Sequence, residues 1–182
     1  MFHLITPHLR VESILELTVD GFRDLGIDGV LLDLDCTLKR YRETDVRPEA
    51  AQWLAALKAG GIGCCIVSNG RNYRIKHFAD KLGLPFVANA LKPFPFGVFR
   101  AMAKMGFQPE HTAMIGDQVF ADVLAGRWAG VKCILVRPLH PEEEPWFTRI
   151  KRTPERLWLG WLGARDKKRI ETNEPGKCEP KG

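Results

Sequence analysis

At four places in this chain an apolar stretch gives way abruptly to a polar cluster, and this pattern constrains the fold more than anything in the composition. Val30-Leu31-Leu32 runs into Asp33-Leu34-Asp35-Cys36-Thr37, and Ile66-Val67 runs into Ser68-Asn69-Gly70. Leu91 leads to Lys92-Pro93, and Met114-Ile115 leads to Gly116-Asp117, with Asp122 a little over one helical turn further on. Buried strands are apolar, and two carboxylates at the exit of one are costly to desolvate unless something compensates them. A side-chain period of two points Asp33 and Asp35 toward the same side. Two acids held together serve as a metal site or as a nucleophile beside a proton-transfer group.

The stretches between these points alternate in pattern. Residues 28–34 read as a strand and 48–59 as a helix, with Pro48 in its tolerated first turn and Gly60-Gly61 ending it. A strand at 62–67, a helix at 71–82, a brief strand at 85–88 and a helix at 95–105 follow. A strand at 112–115, a helix at 118–128 and a strand at 131–136 complete the series. Apolar strands alternating with helices predict an α/β fold, a parallel sheet covered on both faces with right-handed crossovers. Ligands in such sheets bind beyond the carboxyl ends of the strands, where every one of the four clusters falls. Residues 1–27 read as a helical lead-in, 28–163 as the domain proper, and 164–182 as a basic tail too polar to order itself.

A length of 182 residues suits one domain with a real core. No apolar run approaches the ~20 residues of a membrane span, and no secretory signal is visible. The five cysteines form no zinc-ligand spacing, which leads us to expect a reducing, cytoplasmic setting. From Trp146 onward ten Lys and Arg face five Asp and Glu, while the other 17 basic and 17 acidic residues cancel. The whole net charge of +5 therefore sits in the C-terminal segment, beside Trp146, Phe147, Trp158 and Trp161.

The ordered set DxDxT, Ser, Lys and GDxxxxD resembles the haloacid dehalogenase-like (HAD) phosphohydrolase superfamily, over roughly Val30 to Val136. The resemblance implies a Rossmann-like core and an enzyme that hydrolyses phosphate monoesters with Mg²⁺. It makes Asp33 the nucleophile that forms an aspartyl-phosphate and Asp35 the acid that protonates the leaving oxygen and then deprotonates water. It assigns the metal to Asp33, the Asp35 backbone carbonyl and Asp117, with Asp122 a direct or water-mediated partner. Ser68 and Lys92 bind the phosphoryl oxygens, Asn69 adds a donor, and Thr37 supports the nucleophile loop. Cys36 stands where the family often has asparagine. The spacing Cys36-x5-Arg42 matches the minimum of a cysteine-phosphatase loop, yet it lacks the glycines that cradle phosphate and leaves the acids without a purpose. Receiver-type signalling domains use similar parts, but there the acidic pair comes early and the phosphorylated aspartate follows on a later strand.

Asp35 to Ser68 and Ser68 to Lys92 leave room only for ordinary crossovers, so no cap domain is expected. A capless site suits a large substrate or one presented on a surface. Leu4-Ile5-Thr6-Pro7, Val11-Glu12-Ser13-Ile14 and the stretch from Pro145-Trp146-Phe147 to Arg156 are similar to the YqeG-like HAD-IIIA branch. That branch resembles phosphatases of phosphatidylglycerophosphate, which implies a lipid head group as substrate and places the protein at the inner face of a membrane. Soluble phosphate monoesters or a phosphoprotein are the alternatives. The basic, Trp-bearing tail suits peripheral contact with anionic lipid and carries no recognisable nucleic-acid module.

Overall fold

The computed structural model describes residues 2–140 and residue 160. Six strands form one sheet, every neighbouring pair parallel. In chain order they are β1 (Leu9–Val11), β2 (Gly29–Leu32), β3 (Gly63–Val67), β4 (Phe86–Val87), β5 (Thr112–Gly116) and β6 (Lys132–Val136). The helices are α1 (Val19–Asp24), α2 (Pro48–Ala59), α3 (Asn72–Leu82), α4 (Phe96–Met105) and α5 (Leu124–Trp128). The spatial order β1-β6-β5-β2-β3-β4 puts β2 at the point where the winding reverses. From β2 the chain steps outward to β3 and β4, then returns to lay β5 on the other side of β2. That reversal opens a crevice at the strand ends, and Asp33 and Asp117 leave the sheet on its two sides. This is the parallel α/β sheet expected from the alternating pattern, and the Rossmann-like core that the resemblance implies.

The period-two alternation of β2 divides the core. Val30 and Leu32 pack on one face with Trp53, Leu54 and Leu57 of α2 and Ile75 and Phe78 of α3. Leu31 packs on the other with Val98, Ala101 and Met102 of α4 and Ala125 of α5. Because both faces are covered, the central strands are near-continuous apolar runs, and Val30, Leu31 and Leu32 are all fully buried. The lead-in is tied to the first face: Ile14, Leu17 and Phe22 join that core, and Trp53 Nε1 donates to the Leu17 carbonyl at 2.7 Å.

Two elements depart from the sequence reading. The lead-in is not wholly helical, since Leu9–Val11 adds an edge strand in register with Ile134–Val136. Its exposed Leu9 and Arg10 give no apolar signature, because an edge strand on this sheet needs only one neighbour. The expected helix at 118–128 is split into a π turn over Val119–Val123 followed by α5. Between Asp35 and Ser68 lie a loop, α2 and β3, and between Ser68 and Lys92 lie α3 and β4, so both intervals are filled by crossovers and no cap domain is inserted in either. Apart from Gly160, which is helical, the aromatic and basic stretch from Trp146 and the tail at 164–182 lie outside the described residues.

Candidate active site

Asp33 follows β2 directly, and its backbone N–H donates to the Ile115 carbonyl at 2.9 Å, which fixes it against the end of β5. Lys92 arrives on the loop after β4. Its ammonium donates to Asp33 Oδ1 at 2.5 Å, to Asp122 Oδ1 at 2.6 Å and to the Val67 carbonyl at 2.9 Å, so all three of its donors are used. Asp33, Asp117 and Asp122 are buried and present carboxylate oxygens that lie within 4.8 Å of one another. Thr37 donates its hydroxyl to Asp117 Oδ1 at 3.4 Å.

Asp122 reaches this cluster because of the π turn. Its other oxygen accepts the Gln118 N–H at 3.0 Å, closing the turn on itself, and π turns of this kind gather at functional sites. Gly116 has to be glycine, since any Cβ there would run into the Asp122 carboxylate.

Asp35 turns elsewhere. Arg74 Nη1 donates to its Oδ2 at 2.9 Å, Arg74 Nη2 bonds to Oδ1, and the Lys39 ammonium lies 3.1 Å from Oδ1. Lys39 is fully buried; it also donates to the Arg40 and Tyr41 carbonyls at 2.8 and 3.1 Å and sits 5.0 Å from the centre of the Phe78 ring. The side chain of Asp35 thus stands outside the three-acid cluster. Ser68 is buried at the end of β3, where its Oγ accepts the Gly70 N–H at 3.2 Å. Asn69 clasps the backbone of Lys92 in both directions: its Nδ2 donates to the Lys92 carbonyl at 2.9 Å and its Oδ1 accepts the Lys92 N–H at 2.8 Å.

Sequence reading passed over Lys39 and left Arg74 without a partner. Lys39 sits in a stretch indistinguishable from a solvated basic loop, with only its spacing of four from Asp35 as a signal. Arg74 reads equally as a rim for an anionic substrate or as a solvated helix charge; the structure gives it one specific carboxylate.

Three acids around one ammonium leave an excess of buried negative charge. Burial pushes the Asp33 carboxyl up to about 7, Lys92 works against that rise, and the charges of Asp122 and Asp35 add to it. For Lys92 itself burial pulls downward, but Asp122 and Asp33 together outweigh it and hold the ammonium protonated above its ordinary value. A divalent cation among the three acids would relieve the excess, and an all-carboxylate donor set suits a hard cation. Cys36 is fully buried and offers no exposed thiol. Burial also pushes the Cys64 and Cys133 thiols up to about 12, away from the thiolate form.

Residues 5–130 match the family model described as haloacid dehalogenase-like hydrolase. The chain belongs to that family, and it is a phosphatase. It is 34% identical over 156 residues to the probable phosphatase YqeG of Bacillus subtilis, covering 86% of this chain and 90% of that one. It is 26% identical over 165 residues to the chloroplastic phosphatidylglycerophosphate phosphatase 1 of Chlamydomonas reinhardtii, covering 86% of this chain but 61% of that longer protein. The cobalt-bound deoxy-D-mannose-octulosonate 8-phosphate phosphatase of Haemophilus influenzae shares the fold, with a TM-score of 0.51, 19% identity, and coverage of 62% of this chain and 69% of that one.

Proposed function

We propose that this phosphatase is a Mg²⁺-dependent phosphomonoesterase that works through an aspartyl-phosphate on Asp33, and that its substrate is phosphatidylglycerophosphate. The observation that carries the chemistry is the Lys92 ammonium bridging Asp33 and Asp122 beside Asp117. An oxygen of Asp33 attacks phosphorus as the bond to the leaving alcohol oxygen breaks, and Asp35 gives that oxygen its proton. Asp35 then takes a proton from water as the water attacks the same phosphorus, which breaks the bond to Asp33 and releases inorganic phosphate. Lys92 and Ser68 face the phosphoryl oxygens, and the Lys92 charge also keeps the acids from repelling one another. Asp33, the Asp35 carbonyl, Asp117 and Asp122 would hold Mg²⁺, which when bound would supply Lewis-acid stabilisation of the phosphoryl charge.

The lipid substrate draws support from the relatives named phosphatidylglycerophosphate phosphatase, at 26% and 24% identity, and from the uncapped entrance to the site. No helix among the described residues is long and apolar enough to cross a membrane. Phosphate release from phosphatidylglycerophosphate in mixed micelles, compared with soluble sugar, nucleotide and phosphoseryl esters, tests the reading. Turnover of a soluble ester far above that of the lipid would overturn it.

Two substitutions separate the roles. Asp117→Ala is expected to raise the Mg²⁺ concentration for half-maximal activity by about tenfold or more, by analogy with the loss of a supporting carboxylate. A Mg²⁺ titration that is unchanged would remove Asp117 from the metal set. Arg74 acts through Asp35, as a positioning residue. Arg74→Ala is expected to lower kcat on the order of tenfold with little change in KM, and Arg74→Lys to recover part of it, because one ammonium replaces a two-armed grip. A rise in KM alone would mean that Arg74 holds substrate instead.

A further inference from the structure

Large apolar side chains are normally covered, yet five stand exposed around the loop that delivers Lys92. Leu91 is 62% exposed, Phe96 57%, Phe94 52%, Phe99 46% and Trp128 43%. They are contiguous: Phe94 stacks on Phe96 with ring centres 6.0 Å apart and lies 6.3 Å from the Trp128 ring. Phe96 and Phe99, three residues apart in α4, share one helix face. Leu91 is held at φ +59, a left-handed conformation that is costly for a bulky residue and that clusters at functional sites. It stands outward while Lys92, the next residue, is buried. A surface hollow of about 550 Å³ joins the two features, lined by Leu91, Phe94 and Phe96 and also by Asn69 and Lys92. The apolar patch and the loop that carries Lys92 therefore border the same space.

The stretch of chain that carries most of this patch is basic. The first 145 residues sum to zero, but 50–109 hold eight Lys and Arg against the single acid Asp80, and Asp80 is already paired with Lys76 at 2.6 Å. Arg100 is exposed beside Phe99 on α4. Arg71 is exposed too and follows Gly70, whose carbonyl accepts the Asn89 N–H at 3.0 Å and so lies against the loop before Leu91. Exposed aromatics with exposed Arg71 and Arg100 nearby match the headgroup and acyl boundary of an anionic bilayer in both of its layers.

We propose that this face is the docking surface for an anionic lipid bilayer. Leu91, Phe94, Phe96, Phe99 and Trp128 enter the headgroup–acyl boundary, and Arg71 and Arg100 meet lipid phosphates. Docked this way, the loop that carries Lys92 lies at the bilayer surface, where a membrane-borne phosphate ester is met without drawing the lipid out of the bilayer. That last step rests on the phospholipid-substrate reading; the docking itself does not.

Co-sedimentation of the full-length protein with phosphatidylcholine vesicles, with and without phosphatidylglycerol, tests the surface. The double variants Phe96→Ser/Phe99→Ser and Phe94→Ser/Trp128→Ser cover two halves of the patch, so a folding failure in one leaves the other informative. Wild type is expected to favour the anionic vesicles, and each variant to bind them about tenfold more weakly, with turnover of a soluble aryl phosphate within about twofold of wild type. Binding equal to wild type in both variants would overturn the proposal. So would a patch that proves to join two copies of this chain, shown by variants that fall from dimer to monomer in analytical ultracentrifugation while vesicle binding is unchanged. The two readings also fail separately. Patch-dependent vesicle binding without release of phosphate from phosphatidylglycerophosphate leaves the surface and removes the substrate. Equal hydrolysis of vesicle-borne phosphatidylglycerophosphate by wild type and both variants leaves the substrate and removes the surface.

Discussion

Asp33→Asn is expected to abolish phosphate release, by at least about 10³-fold in kcat, while the protein remains folded. The amide is nearly isosteric, but it has lost the anionic oxygen that would attack phosphorus and most of its affinity for a cation. Steady-state phosphate release checks the loss; substantial turnover by folded Asp33→Asn protein would rule out the aspartyl-phosphate route. The same substitution has a second consequence, of opposite sign, for stability. The Asp33 carboxyl sits at about 7 in the folded protein, against an ordinary value of 3.8. Between those values the folded state keeps a proton that the unfolded chain has released. The stability from this group is therefore full below the lower value and is lost as pH rises through the upper one. Metal-free Asp33→Asn is accordingly expected to melt above metal-free wild type at about pH 8, with the gap closing toward about pH 4. A gap that is constant with pH would mean that the strain at Asp33 is not electrostatic.

How much of this was visible in the chain depended on whether a residue's partner was local. The central strands were legible because a parallel strand buried on both faces needs an unbroken apolar run; Gly29–Leu32 and Gly63–Val67 fall inside the stretches 28–34 and 62–67. Helix α2 matched its expected ends, 48–59, because Pro48 and Gly60 mark them in the sequence. β1 was hidden because three residues on an edge, paired to one neighbour, carry no burial pattern. The π turn was hidden for another reason. Its extra residue per turn is set by where the Asp122 carboxylate has to reach, toward Lys92 and the Gln118 N–H, and no local propensity encodes that.

The site shows the same division. Residue types and their order in DxDxT and GDxxxxD pointed to the acids before any geometry was available, because carboxylates at strand ends need compensation. Their actual partners were not legible. The spacing of two between Asp33 and Asp35 gave no hint that Asp35 would pair with Arg74, 39 residues away. Nor did it show that Asn69 would clasp the Lys92 backbone. Charge counting also concealed something: a neutral sum over the first 145 residues hid a basic middle segment between two acidic ones, and the exposed aromatics lie within or beside that segment.

Lys92→Ala is expected to be the most damaging change to the metal-free protein. It removes the ammonium bonded to both Asp33 and Asp122 and leaves two buried carboxylates with Asp117 close by. Removing one partner of a buried ion pair costs about 3 kcal/mol or more, equivalent to a fall in Tm on the order of 10 °C for a domain of this size. The sign of the pH dependence follows from which state the loss penalises. Without Lys92 the ionised acids face one another uncompensated, so the deficit is expected to be larger at about pH 8 than at about pH 5, where Asp33 can take up a proton. Added Mg²⁺ is expected to recover part of the melting temperature, because a cation replaces some of the missing charge, yet not the activity, because the ammonium proposed to bind the phosphoryl group is gone. Thermal melts at the two pH values, with and without Mg²⁺, read all of this. A deficit that neither proton nor Mg²⁺ reduces would show that Lys92 holds the site through its bond to the Val67 carbonyl rather than through its charge.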